Sequence, residues 1–366
     1  MTSQSSAVKR SFLRTDYWRG KVEVSMARAR VTIIGLGLVG TSMGLAIRRG
    51  KPELEVVGHD LNPDASKRAQ KLGAIEKSEW NLINAVSSAD LLILSVPAMA
   101  IKEVIELTKD DMKEGLVITD TAGSKGEVLQ WARDLLPPHV SFVGGDPMVG
   151  PRDSQAAPQA DLFAGVTYCI SPLPTTPNEA LQVVIGLLNL IGARVYFVDP
   201  HEHDGYVGLA DHLSFMLSTA LLRMTSSSAS KPGSPQGDVR LSADVHRMIG
   251  PTFLRSASFS SIDPKTYRDL CLTNRDNIVR WLAAFREHLD GLSEIVESND
   301  PKALEKLFDD ALTLRASAEQ PYRDADLEAE AHTIRTTSGF GLNELLGFRR
   351  RTPPERGKPN SGKRGA

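Results

Sequence analysis

Residues 31–40 read VTIIGLGLVG. The run Val31–Ile34 is rich in β-branched residues, the pattern of a strand buried on both faces. Gly35, Gly37 and Gly40 follow as GxGxxG, and TSMGLAIRRG (41–50) continues as a helix closed by Arg48, Arg49 and Gly50. In a strand–turn–helix unit of this kind the first glycine makes the tight turn. The second lets a pyrophosphate approach the backbone, and the third lets the helix pack close to the strand. The helix N-terminus then offers free N–H groups and the positive end of its dipole to phosphate. Gly35, Leu36, Gly37, Leu38, Val39 and Gly40 are therefore read as a dinucleotide cradle, against the competing reading of a glycine turn without a ligand. A second strand, Glu55–Gly58, leads to Asp60, twenty residues after Gly40. An acid at that spacing accepts hydrogen bonds from ribose hydroxyls and repels a 2′-phosphate, which favours NAD; His59 and Asn62 beside it leave NADP open.

The alternation continues outward from this unit. Asn81–Ala89 reads as a helix, Leu91–Val96 as a strand, Ala98–Leu107 as a helix, Leu116–Thr119 as a strand, Lys125–Leu136 as a helix and Val140–Val143 as a strand. Such a pattern predicts an α/β Rossmann domain, a doubly wound parallel sheet, over residues 30–199. Ligands sit at the carboxyl ends of the strands in these folds. Three stretches fall there: SVPAMA (95–100), with Val96 and Pro97 as cofactor contacts, TDTAGSKG (119–126) and GGDPMVGP (144–151). In the third, Asp146 stands between two glycines and a proline after the apolar run. It is read as a placed carboxylate; a turn residue capping its own backbone is the alternative.

From Pro200 onward the spacing is helical. Val207, Leu209, Leu213, Leu217 and Leu221 predict a core helix over His201–Met224. SSSASKPGSPQGD (226–238) reads as a mobile loop. Asp263 and Pro264 are the N-cap and first turn of a long helix through Leu289. Its stripe of Ile278, Trp281, Leu282, Phe285 and Leu289 is broader than one small domain needs, which predicts an intertwined homodimer. Two further helices, about 301–317 and 321–333, complete an all-α dimerisation and substrate domain over 200–333. The polar, basic residues 1–29 are expected to be a disordered extension with Met26 as the working start, and 334–366 a disordered basic tail.

The bulk numbers narrow the function classes. The 366 residues suffice for two domains, and 41% hydrophobic with 24% charged residues is globular. A net charge of −2 gives no reason to expect nucleic acid or an anionic membrane as a partner. Cys169 and Cys271 have neither CxxC nor metal spacing and read as free thiols of a reducing, cytoplasmic compartment. No stretch is apolar enough to span a bilayer, and residues 1–25 lack the apolar core of a signal peptide. HEHD (201–204) does not suggest a metal, because His201 and His203 point apart on a helix.

The chain resembles the prephenate/arogenate dehydrogenases of tyrosine biosynthesis. The matching pieces are GLGLVGTSMGLAI (35–47), SADLLILSVP (88–97), TDTAGSKGEVL (119–129), GGDPMVGP (144–151), DPHEHDGYVGLADHLSFMLSTAL (199–221) and DPKTYRDLCLTNRDNI (263–278), in order from about Val31 to Leu289. The resemblance implies a Rossmann domain followed by a helical dimerisation domain, and NAD(P)-dependent oxidative decarboxylation of a small-molecule substrate. It also exposes departures. The family's Gly-His-Pro-Met histidine, which takes the substrate hydroxyl proton, is Asp146 here. The serine of the preceding strand-end loop is Gly123, with Ser124 one place later. The carboxylate-binding arginine five residues before the DP pair is Ser258. The first histidine of SHLPH is kept as His212, the second is Phe215, and the HD pair is kept as His203 and Asp204. On this basis Asp146, Ser124 and His212 are the catalytic candidates. Arg152, Arg255, Ser258, His203 and Asp204 are the substrate-binding candidates, and no metal ligand is assigned. For Ser124 the alternative is an N-cap of the helix near Lys125; for the two arginines it is a solvated surface position. His246 is a weaker cation. Two other functions stay open: an NAD-dependent dehydrogenase of a less anionic substrate, and a non-catalytic NAD-binding regulator.

Overall fold

The computed structural model describes residues 28–149, 156–225, 247–258 and 263–332, with side chains through 320. Eight strands form one sheet: β1 (Arg30–Ile34), β2 (Glu55–His59), β3 (Lys77–Ser78), β4 (Leu91–Leu94), β5 (Val117–Asp120), β6 (Ser141–Pro147), β7 (Thr167–Pro172) and β8 (Arg194–Phe197). Their order is β3-β2-β1-β4-β5-β6-β7-β8. All neighbours are parallel except β6 and β7, which run antiparallel. The sheet is thus the expected doubly wound one with a single reversed pair.

Alternate strand residues feed two separate cores, as a two-sided sheet requires. Val31, Ile33, Leu91, Ile93, Val117 and Val143 face one layer; Ile34, Leu92, Leu94, Ile118 and Phe142 face the other. On the first side lie α1 (Leu38–Gly50), α2 (Pro63–Lys71) and α6 (Asn178–Leu190); on the second lie α3 (Leu82–Ser87), α4 (Ala98–Thr108) and α5 (Gly126–Leu135). Each fully buried Leu or Ile of these layers contributes roughly 1.5–3 kcal/mol. Asn62 and Asn81 cap α2 and α3 through their side chains, with Pro63 at the first turn of α2.

Beyond the sheet the chain is helical: α7 (Pro200–Val207), a π-helical turn (Gly208–His212), α8 (Leu213–Met224), α9 (Pro251–Ser256), α10 (Pro264–Thr273), α11 (Arg275–Glu297) and α12 (Pro301–His332). Asp199 caps α7 ahead of Pro200, and Asp263 caps α10 ahead of Pro264, the latter as expected from sequence. Only Phe215, Leu270 and Ile278 form a buried apolar cluster among the described residues of this part. That is too little to hold a helical domain alone. Leu289, Leu292, Val296, Phe308, Leu312 and Leu314 are exposed apolar residues of α11 and α12.

Several expectations change. The helix over His201–Met224 is interrupted by the π turn, which rotates the face so that Leu209 is exposed. The long helix after Asp263 breaks at Asn274, whose φ of −128° and ψ of 32° leave the helical region. Residues 301–332 form one helix rather than two. Arg28, assigned to the disordered extension, is tied down: its guanidinium donates to the Glu53 and Leu54 carbonyls and to Glu76. Ala29 is described too, its carbonyl accepting from the Glu55 N–H; residues 1–27, the 226–238 loop, Arg152, His246 and the basic tail lie outside the described residues.

Candidate active site

The cradle geometry follows from three glycines in different situations. Gly35 has φ +92°, and a Cβ there would lie 2.1 Å from the Ser95 carbonyl oxygen and 2.7 Å from Val96 Cγ1. A Cβ on Gly40 would lie 2.0 Å from the Gly35 carbonyl oxygen, whereas one on Gly37 would meet nothing within 4 Å. The turn is therefore pressed against the β4 loop while Gly37 faces open space at the start of α1. Gly37 makes no side-chain cap and the first turn of α1 holds no acid, so its N-terminus is open to an anion. Asp60 accepts from the Leu36 N–H at 2.7 Å through one carboxylate oxygen and from the Asn62 N–H at 2.7 Å through the other. Each oxygen keeps a lone pair for a ribose hydroxyl. The His59 ring is buried on the Glu79 carbonyl, and the Asn62 side-chain oxygen caps α2. These residues fit an NAD diphosphate and ribose.

Asp146 lies inside the strand, one residue before its end, and not in the loop after it. β6 continues to Pro147 because it pairs with β7, Asp146 opposite Cys169. This removes the reading of Asp146 as a turn residue capping its own backbone. Gly144 and Gly145 serve packing instead: a Cβ on Gly145 would lie 2.7 Å from the Asp120 carbonyl oxygen and 2.8 Å from Tyr168 Cε1. The strand is fixed from below by a fully buried ion pair between Lys125 and Asp120. The Lys125 ammonium also donates to the Gly145 carbonyl at 2.7 Å, and Asp120 accepts from the Gly145 N–H at 2.9 Å and the Ala122 N–H at 3.0 Å.

The Asp146 side chain is 8% exposed, and one of its oxygens meets His203 Nε2 at 3.1 Å. The other ring nitrogen of His203 meets Asp204 at 3.0 Å. Asp146, His203 and Asp204 form a buried row. Asp146's remaining oxygen has no hydrogen-bond partner among the described residues. Burial lifts the Asp146 carboxyl above its usual range, and His203 restrains the rise. Burial also disfavours the His203 cation, but carboxylates on both ring nitrogens outweigh it and raise its pKa.

Asp204 has a second task. Its two oxygens accept from the Lys125 N–H at 2.6 Å and the Gly126 N–H at 2.8 Å, capping α5 from the helical part. Asp269 does the same for α4, accepting from the Met99 N–H at 3.0 Å. His203 and Asp204, expected to bind substrate, are buried and also hold their neighbours in place: His203 is 1% exposed and Asp204 5%. Ser124 is neither an N-cap nor a free donor. It is fully buried on Thr273 Oγ1 at 2.7 Å, and Thr273 in turn donates to the Asp269 carbonyl.

His212 is fully buried in the π turn. Asn274 Nδ2 donates to its Nδ1 at 3.0 Å and to the Asp204 carbonyl at 2.7 Å. Nε2 is left without a hydrogen-bond partner, and a Cβ on Gly123 would lie 3.7 Å from it. Burial holds the ring's pKa down at about 4, with the Asp204 charge and the Gly123 backbone pulling the other way. Ser258 and Arg255 are exposed, and α9 ends at Ser256, so the two do not share a helix face. Sequence reading missed Asn274, Thr273, Asp269, Asp120 and Lys125. An acid and a lysine five apart in TDTAGSK was an available signal for the buried pair.

Comparison with known proteins agrees with this architecture. Residues 43–197 match the family model "Prephenate dehydrogenase, nucleotide-binding domain", and 199–310 match "Prephenate dehydrogenase, dimerization domain". The chain is 28% identical over 287 residues to the prephenate dehydrogenase of Bacillus subtilis, covering 78% of this chain and 75% of the relative. It is 26% identical over 286 residues to the cyclohexadienyl dehydrogenase of Zymomonas mobilis, covering 78% and 94%. Among solved structures, that of Aquifex aeolicus prephenate dehydrogenase with hydroxyphenyl propionate and NAD+ superimposes with a TM-score of 0.67 at 24% identity, over 80% of this chain and 99% of that one. Synechocystis arogenate dehydrogenase gives 0.62 at 22%, over 79% and 99%. Matched in both halves, in the expected order, the chain belongs to the prephenate dehydrogenase family.

Proposed function

We infer that the protein is an NAD-dependent dehydrogenase that oxidatively decarboxylates prephenate or arogenate. The observation that carries this reading is the placement of Asp146, one carboxylate oxygen held by His203 and the other free, on the strand beside the cofactor loops. In this reaction the ring carbon bearing the hydroxyl gives up a hydride, the hydroxyl proton passes to a base, and loss of carbon dioxide aromatises the ring to a phenolate that takes the proton back. Bound NAD+ supplies the hydride acceptor. The chain supplies the rest. Gly35–Gly40 and Asp60 hold the diphosphate and ribose, and Asp146 accepts the hydroxyl proton on its free oxygen. His203 fixes the carboxylate's orientation and is itself fixed by Asp204. A carboxylate of ordinary pKa is a weak base; burial strengthens this one. His212, neutral at physiological pH, is a hydrogen-bond group of the site rather than a cation. The exposed apolar faces of α11 and α12 form the homodimer contact.

Asp146→Asn keeps the side-chain shape and removes the base. Expected is a fall in kcat of about 10²–10⁴-fold with NAD affinity unchanged, measured as NADH formation beside fluorescence titration of the cofactor. Because the base works ionised and its pKa is raised, kcat/KM of the wild type falls as pH drops through a value above the ordinary carboxylate range. Full activity in Asp146→Asn sinks the assignment.

A further inference from the structure

His203 lies between two carboxylates. Its Nδ1 meets Asp204 Oδ1 at 3.0 Å, and its Nε2 meets Asp146 Oδ2 at 3.1 Å. The two oxygens of Asp204 also accept from the Lys125 and Gly126 N–H groups, at the start of α5, where the helix dipole favours negative charge. Nδ1 is therefore the donor to Asp204. A neutral imidazole has only that one proton. Its bare Nε2 would then face Asp146 lone pair against lone pair. One proton has to lie between Asp146 and Nε2. On Asp146 it leaves no base; on the ring it makes an imidazolium against a carboxylate. In water an imidazole holds a proton about 400-fold more tightly than an aspartate. Asp204, on the far side of the ring, stabilises the imidazolium and does nothing for a protonated Asp146. Burial opposes the cation, but the carboxylate bonds prevail and raise the ring's pKa. Burial lifts the Asp146 carboxyl too, and its bond to His203 restrains it. The other charged groups around the row do not reverse this balance. Lys125 works against the cation but is paired with Asp120. In the π turn, His212 is neutral, its pKa held down at about 4 by burial, and Asp211 adds a carboxyl. Arg280 of α11 lies toward Gly205, 3.6 Å from where a Cβ would stand. On α7 itself His201 and Glu202 are exposed.

We propose that His203 is a standing imidazolium, a charge that keeps Asp146 ionised and turned with its second oxygen open. Its bearing on catalysis rests on the reading of Asp146 as the base. The family's histidine at position 146 calls for no such charge, since two neutral imidazoles share one N–H···N bond. The carboxylate in its place does. The ring is not a relay. The substrate proton goes to the free oxygen of Asp146 and back to the phenolate, and His203 keeps both of its own. When the ring loses its Nε2 proton, Asp146 faces a lone pair and the row comes apart. The rate therefore needs Asp146 ionised and His203 charged. It falls as pH drops through the raised pKa of Asp146, and again as pH rises through the raised pKa of His203.

The test is the nitrogen NMR spectrum of the full-length protein labelled in its histidines, read beside the pH profile of kcat with NAD+, for wild type, Asp146→Asn and His203→Gln. Among the eight histidines, the signal of His203 is the one absent from His203→Gln and moved in Asp146→Asn. If His203→Gln does not fold, the signal that Asp146→Asn moves carries the assignment alone. Expected in the wild type is a ring with protons on both nitrogens at pH 7.0, where an ordinary histidine is mostly neutral. In Asp146→Asn the amide donates to Nε2 and the ring turns neutral. His203→Gln offers Asp146 a donor without charge. It should lose about 10–100-fold in kcat, and with it the basic limb that the wild type shows. A neutral ring in the wild type overturns the proposal and leaves Asp146 standing as the base. So does a basic limb that His203→Gln keeps, its rate lowered alike at every pH, the mark of a histidine that only holds shape. Full activity in Asp146→Asn overturns the reading of Asp146 as the base, whatever charge the spectrum gives the ring.

Discussion

The two halves of the protein are built on different terms. The nucleotide-binding half is held by apolar strands buried on both faces, and its ligand groups are mostly backbone: glycines, a helix N-terminus and one acid. The helical half has three buried apolar residues in its cluster and is fastened to the sheet by polar side chains. Asp204 caps α5, Asp269 caps α4, and Asn274 ties His212 to α7. The departures from the family pattern fall in both halves, Asp146 and Gly123 at the carboxyl end of the sheet and Ser258 and Phe215 in the helical part, and none falls in the Gly35–Gly40 cradle.

The sharpest way to break the comparison is inside the cradle. Gly40→Ala drives a methyl to 2.0 Å from the Gly35 carbonyl oxygen, whereas Gly37→Ala meets nothing within 4 Å. Expected is a loss of about 3 kcal/mol or more of stability for Gly40→Ala. Gly37→Ala should be nearly neutral in the fold yet lose NAD affinity, because its methyl occupies the space of the diphosphate. Urea denaturation and cofactor titration of both variants separate the two effects. Equal stability of the pair would show that α1 does not start as close to the Gly35 carbonyl as described.

The second test concerns acid stability. His212 falls from 6.5 to about 4 on folding, and Asp211 beside it rises from 3.8 to about 6. Between pH 4 and 6.5 the unfolded chain binds the His212 proton and the folded chain does not, so that group's contribution is present above pH 6.5 and lost as pH falls. Asp211 has the opposite sign: the folded chain binds its proton first, so stability falls as pH rises from 3.8 to 6. The two slopes, each on the order of 3 kcal/mol over the window, oppose one another. Asp211→Asn removes one of them. The variant should lose stability between pH 6.5 and 4 more steeply than the wild type, read from urea midpoints across that range. Parallel profiles would mean that the two groups do not titrate as their burial implies.

How much of this was legible beforehand depends on the range of the cause. Strands, helices and caps such as Asp263–Pro264 are set within a few residues, and the GxGxxG unit carries its reason in its own spacing. Asp146 was legible as a carboxylate near the cofactor loops but not as a strand residue. The strand's extension depends on β7, which begins about twenty residues later. The row Asp146–His203–Asp204 joins residues 57 apart, and no local pattern reports it. His203 and Asp204 were visible only as kept residues; that they also hold Asp146 and cap α5 depends on contacts across the fold. The break at Asn274 was hidden because its cause is tertiary: its side chain is drawn to His212 and the Asp204 carbonyl, against a sequence that otherwise continues as a helix.

The paired caps offer a smaller effect and a cleaner contrast. Asp204→Ala and Asp269→Ala each orphan N–H groups at a helix start, and each should lower stability by about 1–2 kcal/mol. Only Asp204 also holds the histidine behind Asp146. Expected is a loss of roughly tenfold or more in kcat for Asp204→Ala, with Asp269→Ala near wild type once folded; the kcat scale is that of a lost positioning hydrogen bond. If both variants keep full kcat, His203 does not need its second carboxylate.

The smallest expected effect probes what the chain has lost. Where the family carries a serine, Gly123 leaves His212 Nε2 buried without a partner. A Cβ there would stand 3.7 Å from that nitrogen, and its closest neighbour, at 3.1 Å, is Leu270 Cδ2, the end of a flexible side chain. Gly123→Ser should therefore be accommodated by a small shift of Leu270. The new hydroxyl oxygen lies within reach of Nε2–H, because Asn274 already donates to Nδ1 and leaves the proton on the other nitrogen. A hydrogen bond to a buried, otherwise unsatisfied donor is worth about 1 kcal/mol, offset in part by the repacking. The expected result is stability equal to wild type or up to about 1 kcal/mol above it. A loss of more than about 1 kcal/mol would mean that Leu270 cannot move and that the glycine is there for packing, not as the trace of a discarded hydroxyl. With the serine in place, a fall in arogenate turnover would show that the space beside Gly123 belongs to the substrate in this chain, and that His212 keeps its free nitrogen for it.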